Sequence, residues 1–109
     1  MVPSPEPPPV RLIVATGAEV TGRLLAEAIA ESTRGVSVSV LFSEGGLDLL
    51  AGDWPRALTQ AGVRTALCSR SARLRGVEPT TVPPSVAWSS LTNFLSDAGP
   101  DTRLWTVFA

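Results

Sequence analysis

The chain has 109 residues, 44% of them hydrophobic and 17% charged, with a formal net charge of −1. That length sets one domain and one core, burying roughly two-thirds of the unfolded chain's surface, and the charge gives no footprint for a nucleic acid or an anionic membrane surface. With no histidine and one cysteine, Cys68, a Ser-His-Asp or Cys-His unit, a conventional zinc site and an intrachain disulfide are excluded; no metal or cofactor is expected, and a reducing cytoplasm is the default compartment.

Met1 to Pro9, MVPSPEPPP, has neither the basic start nor the apolar stretch of a signal peptide. Its proline density predicts a disordered, extended tail ahead of a single domain over residues 10–109. No apolar run approaches the ~20 residues needed to cross a bilayer, so no membrane partner is expected. Val10 to Ala15 is a nearly continuous apolar run that suits a central parallel strand. Gly17 to Leu24 then misses the phosphate-binding G-x-x-x-x-G-K-[ST] loop: Arg23 and Leu24 replace the lysine and the hydroxyl, and Glu19 places an anion in the cradle. A strand-to-helix turn is the simpler reading.

Leu24, Leu25, Ala28 and Ile29 make one stripe of a helix over about residues 20–33, with Arg23 and Glu27 paired on the other side and Gly35 as its stop. Val36 to Phe42 reads as a strand. Ser43-Glu44-Gly45-Gly46 follows at the carboxyl edge, where open α/β sheets bind ligands. It serves either as a pocket wall, with Glu44 or Asp48 as a polar contact, or as a tight turn. Leu47 to Ala61 is helical in two pieces, the second opened by Pro55. Trp54 belongs to the core or to an interface.

The strand Val63 to Leu67 runs into Cys68-Ser69-Arg70-Ser71-Ala72-Arg73-Leu74-Arg75-Gly76, a short helix closed by glycine. A cysteine at a helix N-terminus beside arginines favours its thiolate, the reactive form. The plainer alternative is a small hydrophobe at the end of a buried strand. Three prolines between Val77 and Pro84 preclude a central strand, although Thr80 to Val82 could form an edge bridge. Ser85 is the expected N-cap of a helix with Trp88, Leu91, Phe94, Leu95 and Ala98 on its stripe, and Thr102 to Phe108 is the last strand.

This order predicts a three-layer α/β/α sandwich around a mainly parallel sheet of four or five strands. Right-handed crossovers gather Gly17, Glu44 to Gly46 and Cys68 along one sheet edge. The cysteine stretch resembles the DsrE/DsrF/TusD sulfur-relay family, as do Leu12 to Gly17, Val36 to Gly46 and Val86 to Leu95, in that order. The resemblance implies a cytoplasmic sulfur carrier or persulfide sulfurtransferase. Cys68 would carry the sulfur, and Ser69, Arg70, Ser71, Arg73, Gly17, Glu44, Gly45 and Gly46 would form the thiolate-stabilising pocket. It also implies a homo-oligomer (a trimer or hexamer) or a mixed complex with related subunits, and a thiol or persulfide protein as partner. A non-catalytic assembly module with a structural cysteine is the alternative reading, and a small-nucleotide or anion binder using the Gly17 to Gly22 loop is a third.

Overall fold

A computed structural model describes residues 10–96 and 106–108. The proline-rich tail and Trp105 lie outside the described residues. Its elements follow the chain as β1 (Val10–Ala15), α1 (Ala18–Thr33), β2 (Ser37–Phe42), a 3-10 helix (Glu44–Ala51), α2 (Trp54–Gln60), β3 (Arg64–Cys68), α3 (Ser69–Leu74), a short 3-10 helix (Pro79–Thr81), β4 (Ala87–Ser89), α4 (Leu91–Ser96) and β5 (Thr106–Phe108). The five strands form one sheet in the order β4-β3-β2-β1-β5, and every neighbouring pair is parallel.

Alternation along the strands sorts the core into two layers. Ile13, Ala15, Val38, Val40, Phe42 and Leu67 face one way and pack under Leu25 and Ala28 of α1, Leu58 of α2 and Ala72 of α3. Leu12, Val14, Leu41 and Ala66 face the other way and are covered by Phe94 of α4, which is fully buried. Trp54 joins the first layer as a partly buried core residue. The three-layer α/β/α sandwich expected from the order of elements is the architecture observed.

Crossover handedness explains the asymmetry of the layers. The links β1-α1-β2, β2-α2-β3 and β3-α3-β4 all step in one direction, so right-handedness keeps their helices on one face. The last link steps back across the whole sheet to β5 and must place α4 on the opposite face. The connections leaving β3 and β4 therefore diverge, one to each side. This is the switch point at whose carboxyl edge α/β sheets leave a crevice. Cys68 and Ser89 are register partners on those two strands.

Several local readings are corrected by the structure. The helix expected from Ser85 is replaced, over Ala87–Ser89, by a strand that pairs with β3 and satisfies backbone groups an open edge would leave unpaired. Trp88 and Leu91, assigned to the buried stripe, are 39% and 40% exposed, while Val86 and Phe94 are buried. The cap of the shortened helix is Ser90, whose Oγ accepts from the N–H of Asn93 at 3.1 Å. Ser85 instead offers its carbonyl to Thr65 Oγ1. Residues 79–81 form a 3-10 turn and not an edge bridge. Glu27 and Glu31 of α1 reach Arg11 of β1, Glu31 by a short hydrogen-bonded ion pair and Glu27 at 4.0 Å. The Gly17 to Gly22 stretch is the start of α1, with Gly17 as its N-cap, so no wrap-around phosphate loop forms there.

Candidate functional site

Cys68 is both the last residue of β3 and the N-cap of α3, with φ −77° and ψ 113°. The strand extends one residue further than the apolar run alone suggests, which puts the thiol at the turn itself, half-buried. The helix that follows is short because Gly76 ends it. With φ +68°, Gly76 takes the left-handed conformation that a side chain would strain. Its N–H donates to the Arg73 carbonyl, and the N–H of Val77 donates to the Ala72 carbonyl. Together these are the paired bonds of a Schellman closure.

Burial pushes the Cys68 thiol up, but hydrogen bonds outweigh it and leave the thiol below its ordinary value. The donors are the Ser71 N–H and hydroxyl, the Arg70 N–H and the Ser43 hydroxyl. Each stabilises the anion more than the neutral thiol. The arginine side chains singled out by the sequence are not among the groups that lower it; Arg70 contributes its backbone amide. Ser43, just past β2, was missed. The signal was in the sequence, since the strand-end residue of a neighbouring parallel strand lies at the same sheet edge. The Ser43 and Ser71 hydroxyls lie 3.0 Å apart.

The other expected site residues divide into three groups. Glu44, Arg70 and Ser71 line a cleft of about 390 Å³ together with Leu74 and Arg75. Leu74 is 79% exposed at its rim, and Arg75 reaches Asp48 at 3.4 Å. Gly17, Gly45 and Gly46 meet at the end of β1. A Cβ on Gly45 would stand 2.9 Å from the Thr16 carbonyl oxygen, and one on Gly46 only 2.0 Å from that of Ala15. Glycine is needed here for close approach, and the positive φ of the segment belongs to Glu44, at +50°. Ser69 and Arg73 turn elsewhere. Ser69 Oγ donates to the Ser89 carbonyl at 2.7 Å, tying α3 to β4. Arg73 borders a second groove with Val77, Pro79 and Trp88.

The chain is thus a small parallel α/β sandwich with a hydrogen-bonded thiol at the switch point of its sheet. Two solved structures share this fold. The chain is similar to the YchN protein of E. coli, with a TM-score of 0.74 at 14% identity, covering 92% of this chain and 99% of that one. It is likewise similar to MTH1491 of Methanobacterium thermoautotrophicum, a protein of unknown function, with a TM-score of 0.72 at 14% identity, covering 94% and 100%. These likenesses are of fold. No protein-family model and no curated protein matches the sequence.

Proposed function

We propose that this protein is a sulfur carrier or persulfide sulfurtransferase working through Cys68. The observation that carries this reading is the thiol's position: an accessible switch-point edge, with four hydrogen-bond donors favouring its anion. In the loading step the Cys68 thiolate attacks the outer sulfur of a donor persulfide. A new bond forms between Cys68 Sγ and that sulfur, the donor's own S–S bond breaks, and the donor leaves as a thiolate. In unloading, an acceptor thiolate attacks the outer sulfur and Cys68 departs as the thiolate. Neither step needs an external oxidant or reductant, and no general base is required once the thiol is ionised.

Arg70, Ser71, Gly17, Glu44, Gly45 and Gly46 are proposed to shape the pocket, while Ser69 ties α3 to β4 and Arg73 borders the second groove. Ser71 and the Arg70 amide act on the sulfur, Glu44 and the Arg70 side chain face the incoming group, and the glycines hold the wall. A carrier of this kind works in a reducing cytoplasm, exchanges sulfur with a partner protein's thiol, and assembles as a homo-oligomer or with related subunits. Exposed Leu74 and Trp88 support an interface beside the site, since apolar side chains left outside are enriched at contacts. Among the described residues no helix is long and apolar enough to cross a membrane.

The test is mass spectrometry of the intact protein after exposure to polysulfide or a low-molecular-weight persulfide. A gain of about 32 Da, one sulfur atom, localised to Cys68 and removed by a thiol, is the expected result. No gain under conditions that alkylate Cys68 readily would refute the carrier role.

A further inference from the structure

The chain contains no histidine, so the proton of the Cys68 thiol is handled by other groups, and the side chains that hydrogen-bond it are both hydroxyls. We infer that Ser43 is a positioning residue for Cys68, acting with Ser71 as a hydroxyl pair that rearranges its hydrogen bonds as the sulfur gains or loses charge. The purpose of the pair rests on the sulfur-carrier reading; its geometry does not.

Counting protons shows why two hydroxyls serve better than one. The two serine oxygens lie 3.0 Å apart with either able to donate, and both hydroxyls hydrogen-bond the sulfur. In the thiol state three protons circulate around three heavy atoms: sulfur donates to one hydroxyl, which donates to the other, which donates back to sulfur. Every donor has an acceptor. Loss of the thiol proton leaves two hydroxyl protons, and both can turn onto the anion, beside the fixed N–H groups of Arg70 and Ser71. When Cys68 carries a second sulfur, the charge moves to the outer atom. A hydroxyl can then swing back to its partner without being left unsatisfied. One hydroxyl alone would lose its partner in one of these states, which is costly for a partly buried donor.

The backbone fixes where the inner hydroxyl originates. Ser43 is extended at φ −142° and ψ 152°. Its N–H donates to the Ala15 carbonyl and its carbonyl accepts from Gly46 N–H, both at 2.9 Å. Ser71 belongs to the first turn of α3 and lines the cleft, whereas Ser43 lies just past β2, at the N-cap of the 3-10 helix. The pair thus makes the thiol sense the relative placement of β2 and α3.

The experiment titrates Cys68 in the full chain by ultraviolet thiolate absorbance and by alkylation rate with iodoacetamide. Ser43→Ala is expected to move the titration to higher pH and lower the thiolate fraction near neutrality about tenfold, the worth of one hydrogen bond to a charged group. Ser43→Thr keeps a hydroxyl on an extended backbone and is expected to restore the wild-type curve. In a Ser71→Ala background the effect of Ser43→Ala should shrink, because the two act as a unit. Identical curves for wild type and Ser43→Ala overturn the inference. So does full additivity of the two alanine variants, which tests it even if the threonine variant does not fold. A hydroxyl-dependent thiol that accepts no sulfane sulfur overturns the carrier reading and upholds this role of Ser43.

Discussion

Replacing Gly46 with alanine tests how firmly the wall of the site is set. The added Cβ would lie 2.0 Å from the Ala15 oxygen, 2.7 Å from its carbonyl carbon and 3.3 Å from its Cβ. An ordinary carbon–oxygen contact needs well over an ångström more. The obstacle is backbone, not a side chain that could swing away. Ala15 pairs with Phe42 of β2, and its carbonyl holds the Ser43 N–H, so relieving the clash displaces the segment that carries Ser43. Overpacking in cores costs about 1–3 kcal/mol where side chains can adjust, so a backbone clash sets the expectation at about 3 kcal/mol or above. For a domain of this size that lowers Tm by more than about 12 °C. Gly45→Ala meets the Thr16 oxygen at 2.9 Å, a smaller overlap, and should cost less. Urea denaturation of the three proteins gives the ranking, and thiol titration shows whether Ser43 has moved. A Gly46→Ala protein within about 0.5 kcal/mol of wild type, the range of an uneventful surface change, would refute the reasoning.

Cys68→Ser should abolish sulfur loading by mass spectrometry while changing stability by less than about 1 kcal/mol, as a near-isosteric change at a half-buried position. Folding lowers the Cys68 pKa, so the stability it contributes is present above the unfolded thiol value and is lost as pH falls through the folded one. The Tm difference between wild type and Cys68→Ala should therefore shift in favour of wild type as pH rises from about 6 to about 9, a range that includes the ordinary thiol value near 8.5; a constant difference contradicts the lowered pKa. Phe94→Ala should cost about 3–5 kcal/mol in denaturant unfolding, because that ring is the buried cover of the second face. Light scattering should give a multiple of 11.4 kDa, and Trp88→Glu should reduce it. A monomeric wild type refutes the assembly.

The parts legible in the sequence were those whose signal is local. Val10 to Ala15 is a nearly continuous apolar run and Val36 to Phe42 alternates at period two before turning apolar, and both patterns demand a strand. Leu25 and Ala28 mark one helix face, and Gly76 ends α3 where a left-handed residue is needed. Reading failed where tertiary context decides. Ala87–Ser89 is strand because β3 has an edge to fill, and nothing in three residues with one aromatic announces that. The site was half visible. Cys68 and its helix follow from chain order, and Glu44 to Gly46 from the strand that precedes them. The place of Ser43 at a strand end could be read from chain order, but its pairing with Ser71 depends on the distance between two hydroxyls brought together by the ends of β2 and α3, which no local pattern encodes. The arginines drew attention by charge, yet the sulfur is held by amides and hydroxyls, whose direction matters more than a distant, solvated cation.

The strand order also sets a sequence of events during folding. β1 to β4 are laid down edge to edge as the chain proceeds, each pairing with the strand just before it, so the contacts that join the thiol, its helix and the Ser43 turn span far less of the chain than the pairing of β1 with β5. β5 alone closes the distance between the two ends, matching Leu12, Ile13 and Val14 to Thr106, Val107 and Phe108. Pairings of such long separation form late, because the loop entropy must be met before they stabilise anything. Until then the outer edge of β1 stands open, apolar and ready to accept a strand from another molecule. The exposed hazard of the unfinished protein therefore lies at β1, one strand removed from β3 and its thiol, and protection of that edge governs how concentrated a refolding solution can be before chains capture one another.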